Sequence, residues 1–145
     1  MYQHLLIATD GSELAQKAVT EGLALAKELK AAVTAVTVTE PLMSMYAGEG
    51  TIALPIEDLE SAARASAEEI LAGVSLVSKQ SGVQCVTMHV KGQFPAEGIV
   101  ETAKAIKCDL IVMASHGRRG LAKLFLGSQA TRVLSLSPIP VLICK

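Results

Sequence analysis

The 145-residue chain has no tryptophan, and its two tyrosines and two phenylalanines bring the aromatic share to only 3%. Single-stranded nucleic acid is usually gripped by stacking bases on aromatic rings, and little is available here for such a platform. Positive charge is not in excess either. Thirteen Lys and Arg face 14 Asp and Glu, for a formal net charge of -1, so no basic face is expected to hold a phosphate backbone. The apolar runs are short, as in Leu5-Leu6-Ile7-Ala8 and Leu110-Ile111-Val112-Met113-Ala114. A membrane-spanning helix needs roughly 20 largely apolar residues. Met1-Tyr2-Gln3-His4 carries no cationic stretch, and the apolar run after it is too short for a signal peptide. A cytoplasmic protein without a membrane or nucleic-acid partner is expected. The three cysteines, Cys85, Cys108 and Cys144, are far apart and include no C-x-x-C pair. They read as buried thiols in or beside strands rather than a disulfide framework or a zinc site.

Apolar material is abundant. Half the residues are hydrophobic and the mean hydropathy is +0.42, which suits one well-packed domain over residues 1–145 and excludes a disordered chain. Leu5–Thr9 reads as a buried strand that ends in the turn Asp10-Gly11-Ser12, with Ser12 placed to cap the next helix. That helix repeats Leu14, Ala15, Ala18, Val19, Leu23, Ala26 and Leu29 at three- and four-residue steps. Ala32–Glu40, rich in Val and Thr, is a second strand stopped by Pro41. Residues 41–56 have no clean period and read as a long surface loop, a candidate lid. Its Met43, Met45 and Tyr46 suit either a cover over a ligand or a dimer surface.

Glu57–Gln80 is the longest predicted helix, with Leu59, Ala63, Ile70, Val74 and Val77 inward and Ser81-Gly82 as its stop. Val83–Val90 is a third strand. Pro95 opens a third helix, whose face is Ile99, Val100, Ala103 and Ile106. Asp109–Ala114 is a nearly continuous apolar fourth strand. A last helix over Ser128–Ser137 and a last strand over Val141–Cys144 complete a β-α-β-α-β-α-β-α-β order. Such alternation predicts an α/β fold, a parallel sheet with helices on both faces. Ligands of doubly wound sheets sit beyond the carboxyl ends of the strands, where the winding reverses. Chemistry is therefore to be sought at Thr9–Ser12 and Ala114–Ser128.

The second of these segments runs Ala114-Ser115-His116-Gly117-Arg118-Arg119-Gly120-Leu121-Ala122-Lys123-Leu124-Phe125-Leu126-Gly127-Ser128. Gly127-Ser128 stands at the mouth of the last helix, where free amides and the helix dipole suit phosphate oxygens. Gly117 and Gly120 allow the loop to fold back over them, and Arg118, Arg119 and Lys123 add positive charge. The bland alternative is a long βα loop with ordinary turn glycines. No Gly-Lys-Ser/Thr follows, so this is not a Walker A loop, and the first βα turn lacks the dinucleotide fingerprint. Asp10 is either a partner of a helix N-terminus or a ligand contact. His116 suits a loop-bracing hydrogen bond better than a general base, and His4 and His89 read as structural strand residues.

Over essentially its whole length the chain resembles the UspA-like universal stress protein family. The resemblance is carried by Leu5-Leu6-Ile7-Ala8-Thr9-Asp10-Gly11-Ser12, by Asp109-Leu110-Ile111-Val112-Met113-Ala114-Ser115-His116-Gly117, and by Ser137-Pro138-Ile139-Pro140-Val141-Leu142-Ile143. The family's nucleotide motif is Gly, two residues, Gly, nine residues, then Gly with Ser or Thr. Gly117, residues 118–126 and Gly127-Ser128 match it, and Ala114 replaces its first glycine. That replacement is compatible with a negative φ.

The resemblance implies a five-stranded sheet of order 3-2-1-4-5 and a homodimer. It implies ATP or AMP as ligand, with Mg²⁺ possible beside ATP. Contacts would fall on Ala8, Asp10, Val38, Met113, Ala114 and Gly117, with Gly127, Ser128 and Gln129 at the phosphates and Arg118, Arg119 and Gly120 as further phosphate-side candidates. The hydrophobic last strand is the expected dimer edge. A stress-response sensor acting through a downstream protein partner is the leading function. A slow ATP hydrolase or phosphoryl-transfer enzyme and a nucleotide-free dimeric interaction module are its rivals.

Overall fold

The computed structural model describes residues 1–43, 55–118 and 125–145. In chain order its elements are β1 (His4–Ala8), α1 (Glu13–Leu29), β2 (Ala32–Thr39), α2 (Ile56–Ser81), β3 (Cys85–Lys91), α3 (Pro95–Ala105), β4 (Leu110–Ala114), α4 (Ser128–Leu136) and β5 (Val141–Cys144). Each lies within two residues of its expected bounds. All pairings are parallel and the strand order is β3-β2-β1-β4-β5. The winding therefore reverses between β1 and β4, as expected from the resemblance.

Strands buried on both faces need no polar alternation, and β4 is buried along its whole length. Leu5, Ile7 and Val112 face one core layer, packed under α1 and α2 with Ala18, Leu23 and Val74. Leu6, Ile111 and Met113 face the other, packed under α3 and α4 with Ile99, Val100 and Val133. Gly22 lets α1 come close to the sheet, because a Cβ there would stand 2.8 Å from Ile7 Cδ1. Along α2 the inward side differs in part from expectation. Ala67, Leu71, Val74 and Ser78 are buried, whereas Leu59, Ala63, Ile70 and Val77 are half-buried. Ile70 and Val77 line a space between α1 and α2, which leaves them only partly covered.

Local signals set the element ends. Ser12 caps α1, its Oγ accepting from Ala15 N at 3.3 Å. Gly82, at φ 74°, closes α2 in the left-handed region that favours glycine. Pro95 sits at the first position of α3, where no amide partner is lost. At the amino-terminal ends of the same two strands, Asp109 accepts from Gln3 N at 2.8 Å and His4 N at 3.0 Å, fastening β1 to the start of β4. The chain's three thiols are free. Cys108 and Cys144 are buried and Cys85 is half-buried.

Candidate functional site

The carboxyl ends of β1 and β4 deliver two loops to one corner. Asp10 follows β1, and its carboxylate spans both loops: Oδ1 accepts from Ser12 N at 2.9 Å and Oδ2 from Arg118 N at 2.8 Å. Gly117 makes that approach feasible, since a Cβ there would lie 2.5 Å from Asp10 Oδ2. Gly11 turns away at φ 78°. Asp10 thus serves the first turn of α1, as one expectation had it, and also fastens the β4 loop. A carboxylate has about four lone-pair sites, so acceptor capacity remains.

Ser115 is the second fixed point. It is 3% exposed. Its N–H donates to Cys144 O at 2.8 Å, and its carbonyl accepts from Gly127 N at 2.7 Å. Gly127 therefore returns the chain against the end of β4. A Cβ on Gly127 would stand 2.7 Å from Ser115 O and 3.3 Å from His116 Cα. The backbone of Gly127 is extended, with φ -69° and ψ 160°, and no side chain among the described residues caps α4. The first amides of this helix are left for solvent or a ligand. His116 is braced as expected, with Nδ1 3.0 Å from Ser115 Oγ. Its Nε2 is buried without a hydrogen-bond partner.

Around this corner the expected residues fall as follows. Ala8 ends β1, and Met113 and Ala114 are the last two residues of β4, as expected; all three are buried. Ala114 has no positive φ, so its replacement of glycine is unstrained. Val38, half-buried near the end of β2, meets α3: a Cβ on Gly98 would lie 2.9 Å from Val38 Cγ1. Gly117 is exposed, Gly127 is buried, and Ser128 and Gln129 open α4 on its exposed side. Arg118 turns elsewhere. Its Nη2 would be 3.1 Å from a Cβ on Gly11, beside Ile70 of α2, so its guanidinium leans to the α1–α2 side. Arg119, Gly120, Lys123, Met45 and Tyr46 lie outside the described residues, as does most of the candidate lid; Met43 is exposed.

The Asp10 link across the loops was not foreseen from the sequence. Its only trace there is an Asp-Gly-Ser turn and a glycine separated by about a hundred residues. A cavity of about 450 Å³ between α1 and α2 was also not foreseen; Thr9, Gly11 and Arg118 line its end nearest the corner. Among the described residues, no group of three or more His, Cys, Asp or Glu is placed to hold a metal ion. No described helix is long and apolar enough to cross a membrane. The thiols are chemically quiet. Burial, and then Asp109, pushes Cys108 up to about 12. Burial, and then Glu21, pushes Cys144 up to about 11.

Comparison with known proteins matches residues 1–145 to the universal stress protein family. A universal stress protein of Methanocaldococcus jannaschii is 36% identical, with all of this chain and 83% of that one aligned. UspA from Lactobacillus plantarum superposes with a TM-score of 0.83 at 26% identity, covering 99% of this chain and 98% of that one. A universal stress protein solved in complex with cAMP gives a TM-score of 0.70 at 25% identity, covering 99% and 97%.

Proposed function

The chain belongs to the universal stress protein family, and from that premise we propose that it binds an adenine nucleotide, ATP or AMP, at the corner between β1 and β4, as a sensor or regulatory module of the stress response. The observation that carries the reading is the uncapped start of α4 behind Gly127. Amides there, with the positive end of the helix dipole, are matched to phosphate oxygens, and Ser128 adds a hydroxyl. A related protein solved with cAMP supports the ligand class.

In this reading Gly127 and Ser128 hold the phosphates, with Gln129 beside them. Asp10 accepts from a ribose hydroxyl or the base amine with its spare lone pairs. Val38, Ala8, Met113 and Ala114 form the side against which the purine rests, and Gly117 lets the backbone come close. A Mg²⁺ accompanying ATP would ride on the phosphates, with Asp10 as the nearby acid of the two loops. The protein acts in the cytoplasm as a homodimer through the free edge of β5, and it signals through a protein partner.

Titration calorimetry with AMP and ATP tests the site. Wild type binds saturably. Gly127→Val abolishes binding, since its Cβ would collide with the Ser115 carbonyl 2.7 Å away. Ser128→Ala weakens binding by roughly 1–2 kcal/mol, about the worth of one hydrogen bond to a charged group. Wild-type affinity in both variants would mean that the phosphates bind elsewhere. ATP turnover above background, lost in Asp10→Asn, would replace the sensor reading with a hydrolase.

A further inference from the structure

The cavity between α1 and α2 touches the corner just described through Thr9, Gly11 and Arg118 but extends away from it along the two helices. Val38, Met113, Gly127 and Ser128 take no part in it. Its volume of about 450 Å³ falls within the roughly 300–1,000 Å³ usual for small-molecule sites. Its apolar side comes from both helices, Val19 of α1 facing Ile70, Val74 and Val77 of α2. Two opposite charges also line it, Glu69 from α2 and Arg118 from the loop after β4. Neither forms an ion pair among the described residues.

Gly73 lines the same space. Glycine in the interior of a helix is a poorer helix former than alanine and needs a reason to be there. Elsewhere in the fold a glycine is explained by close packing, as at Gly22 against Ile7, but a Cβ on Gly73 would meet nothing within 4 Å. The missing side chain enlarges the cavity instead of relieving a contact.

We propose that this cavity is a binding site for a small zwitterion with an apolar side chain, the chemistry of a free apolar α-amino acid. A lone anion would suit Arg118 but face Glu69, and a lone cation the reverse. A molecule carrying both charges satisfies both walls, and its hydrocarbon part covers Val19, Val74 and Val77. Arg118 also joins the site to the corner, because its N–H is held by Asp10 at 2.8 Å. An occupant drawn to the guanidinium therefore pulls on the loop that carries Gly117. The resulting change in nucleotide affinity rests on the proposed nucleotide reading; occupancy of the cavity does not.

The test is a titration of the ¹⁵N-labelled full chain with L-phenylalanine, 3-phenylpropionate and 2-phenylethylamine, the last two each lacking one charge. L-Phenylalanine is expected to shift the amides of Val19, Gly73 and Val74, and each analogue to bind about fivefold more weakly, the scale of one exposed charge pair. Gly73→Leu fills the space with a better helix former, so it folds and no longer responds. Arg118→Gln brings L-phenylalanine down to the level of the amine. No shift in these amides, equal binding of all three compounds, or an unchanged response in Gly73→Leu would overturn the proposal. Loss of AMP binding with the amino-acid response intact would overturn only the nucleotide reading.

Discussion

Asp10 is where side-chain chemistry and backbone geometry meet. One carboxylate ties two loops that lie 108 residues apart in sequence, and it does so because position 117 has no side chain. Gly117→Ala is expected to push the carboxylate off the Arg118 amide, since the new methyl would sit 2.5 Å from Oδ2. The loss of one charge-assisted bond, about 1–3 kcal/mol, should appear as a lower midpoint in urea unfolding. An unchanged midpoint would show that the link contributes nothing to stability.

Asp109 makes the corresponding link at the other end of β1. Burial, the largest single influence, pushes its carboxyl up, but the N–H groups of Gln3 and His4 and the His4 charge outweigh it and hold the group below its ordinary 3.8. A lowered folded-state pKa means that the stabilisation is complete above the unfolded value and is lost as pH falls through the folded one. Unfolding followed from pH 6 down to about pH 2 should therefore show an acid-side loss of stability that is smaller in Asp109→Asn. The thiols behave oppositely. With Cys108 near 12 and Cys144 near 11, little thiolate exists at pH 8. A disulfide reagent should label both slowly in the native protein and fast in denaturant. Rapid native labelling of either would contradict their burial.

At the scale of elements, the helices and strands were legible because their signals are local. Ser12 as a cap, Gly82 as a stop and Pro95 as a first helical residue each act within one turn of chain. Ser12→Ala should cost about 1 kcal/mol, the usual worth of a cap, measured by the same urea unfolding. A cost near zero would make the 3.3 Å contact to Ala15 N incidental. The buried face of α2 was only half legible. Its composition offers alanines and serines on several sides, and which of them the sheet covers is a tertiary matter. The start of α4 was legible as a glycine-serine pair at the mouth of the last helix. The anchoring of Gly127 to the Ser115 carbonyl was not, because that bond depends on how β4 ends. The Arg118 side chain shows the same limit. Its charge and position in the loop suggested phosphates, but the fold turns it toward Gly11 and Ile70.

For the whole molecule, the β-α alternation already required a parallel sheet, and the strand order came with the family resemblance rather than from periodicity. The two open sheet edges differ. β3 is seven residues long with Val86 63% exposed, whereas β5 is four residues long with Leu142 40% exposed. The proposed dimer through β5 predicts twice the monomer mass in light scattering. Leu142→Lys should release monomers, as charge on an edge strand blocks pairing. A monomeric wild type would remove that part of the account.

If the first amides of α4 hold the anionic end of an adenine nucleotide, AMP and adenosine will differ in the amide chemical shifts they cause there. With AMP, the amides of Ser128, Gln129 and Ala130 should move in saturable fashion, and with adenosine they should barely move while residues near Asp10 still respond. Equal effects of the two compounds on those three amides, or no effect of AMP on any of them, would contradict the account.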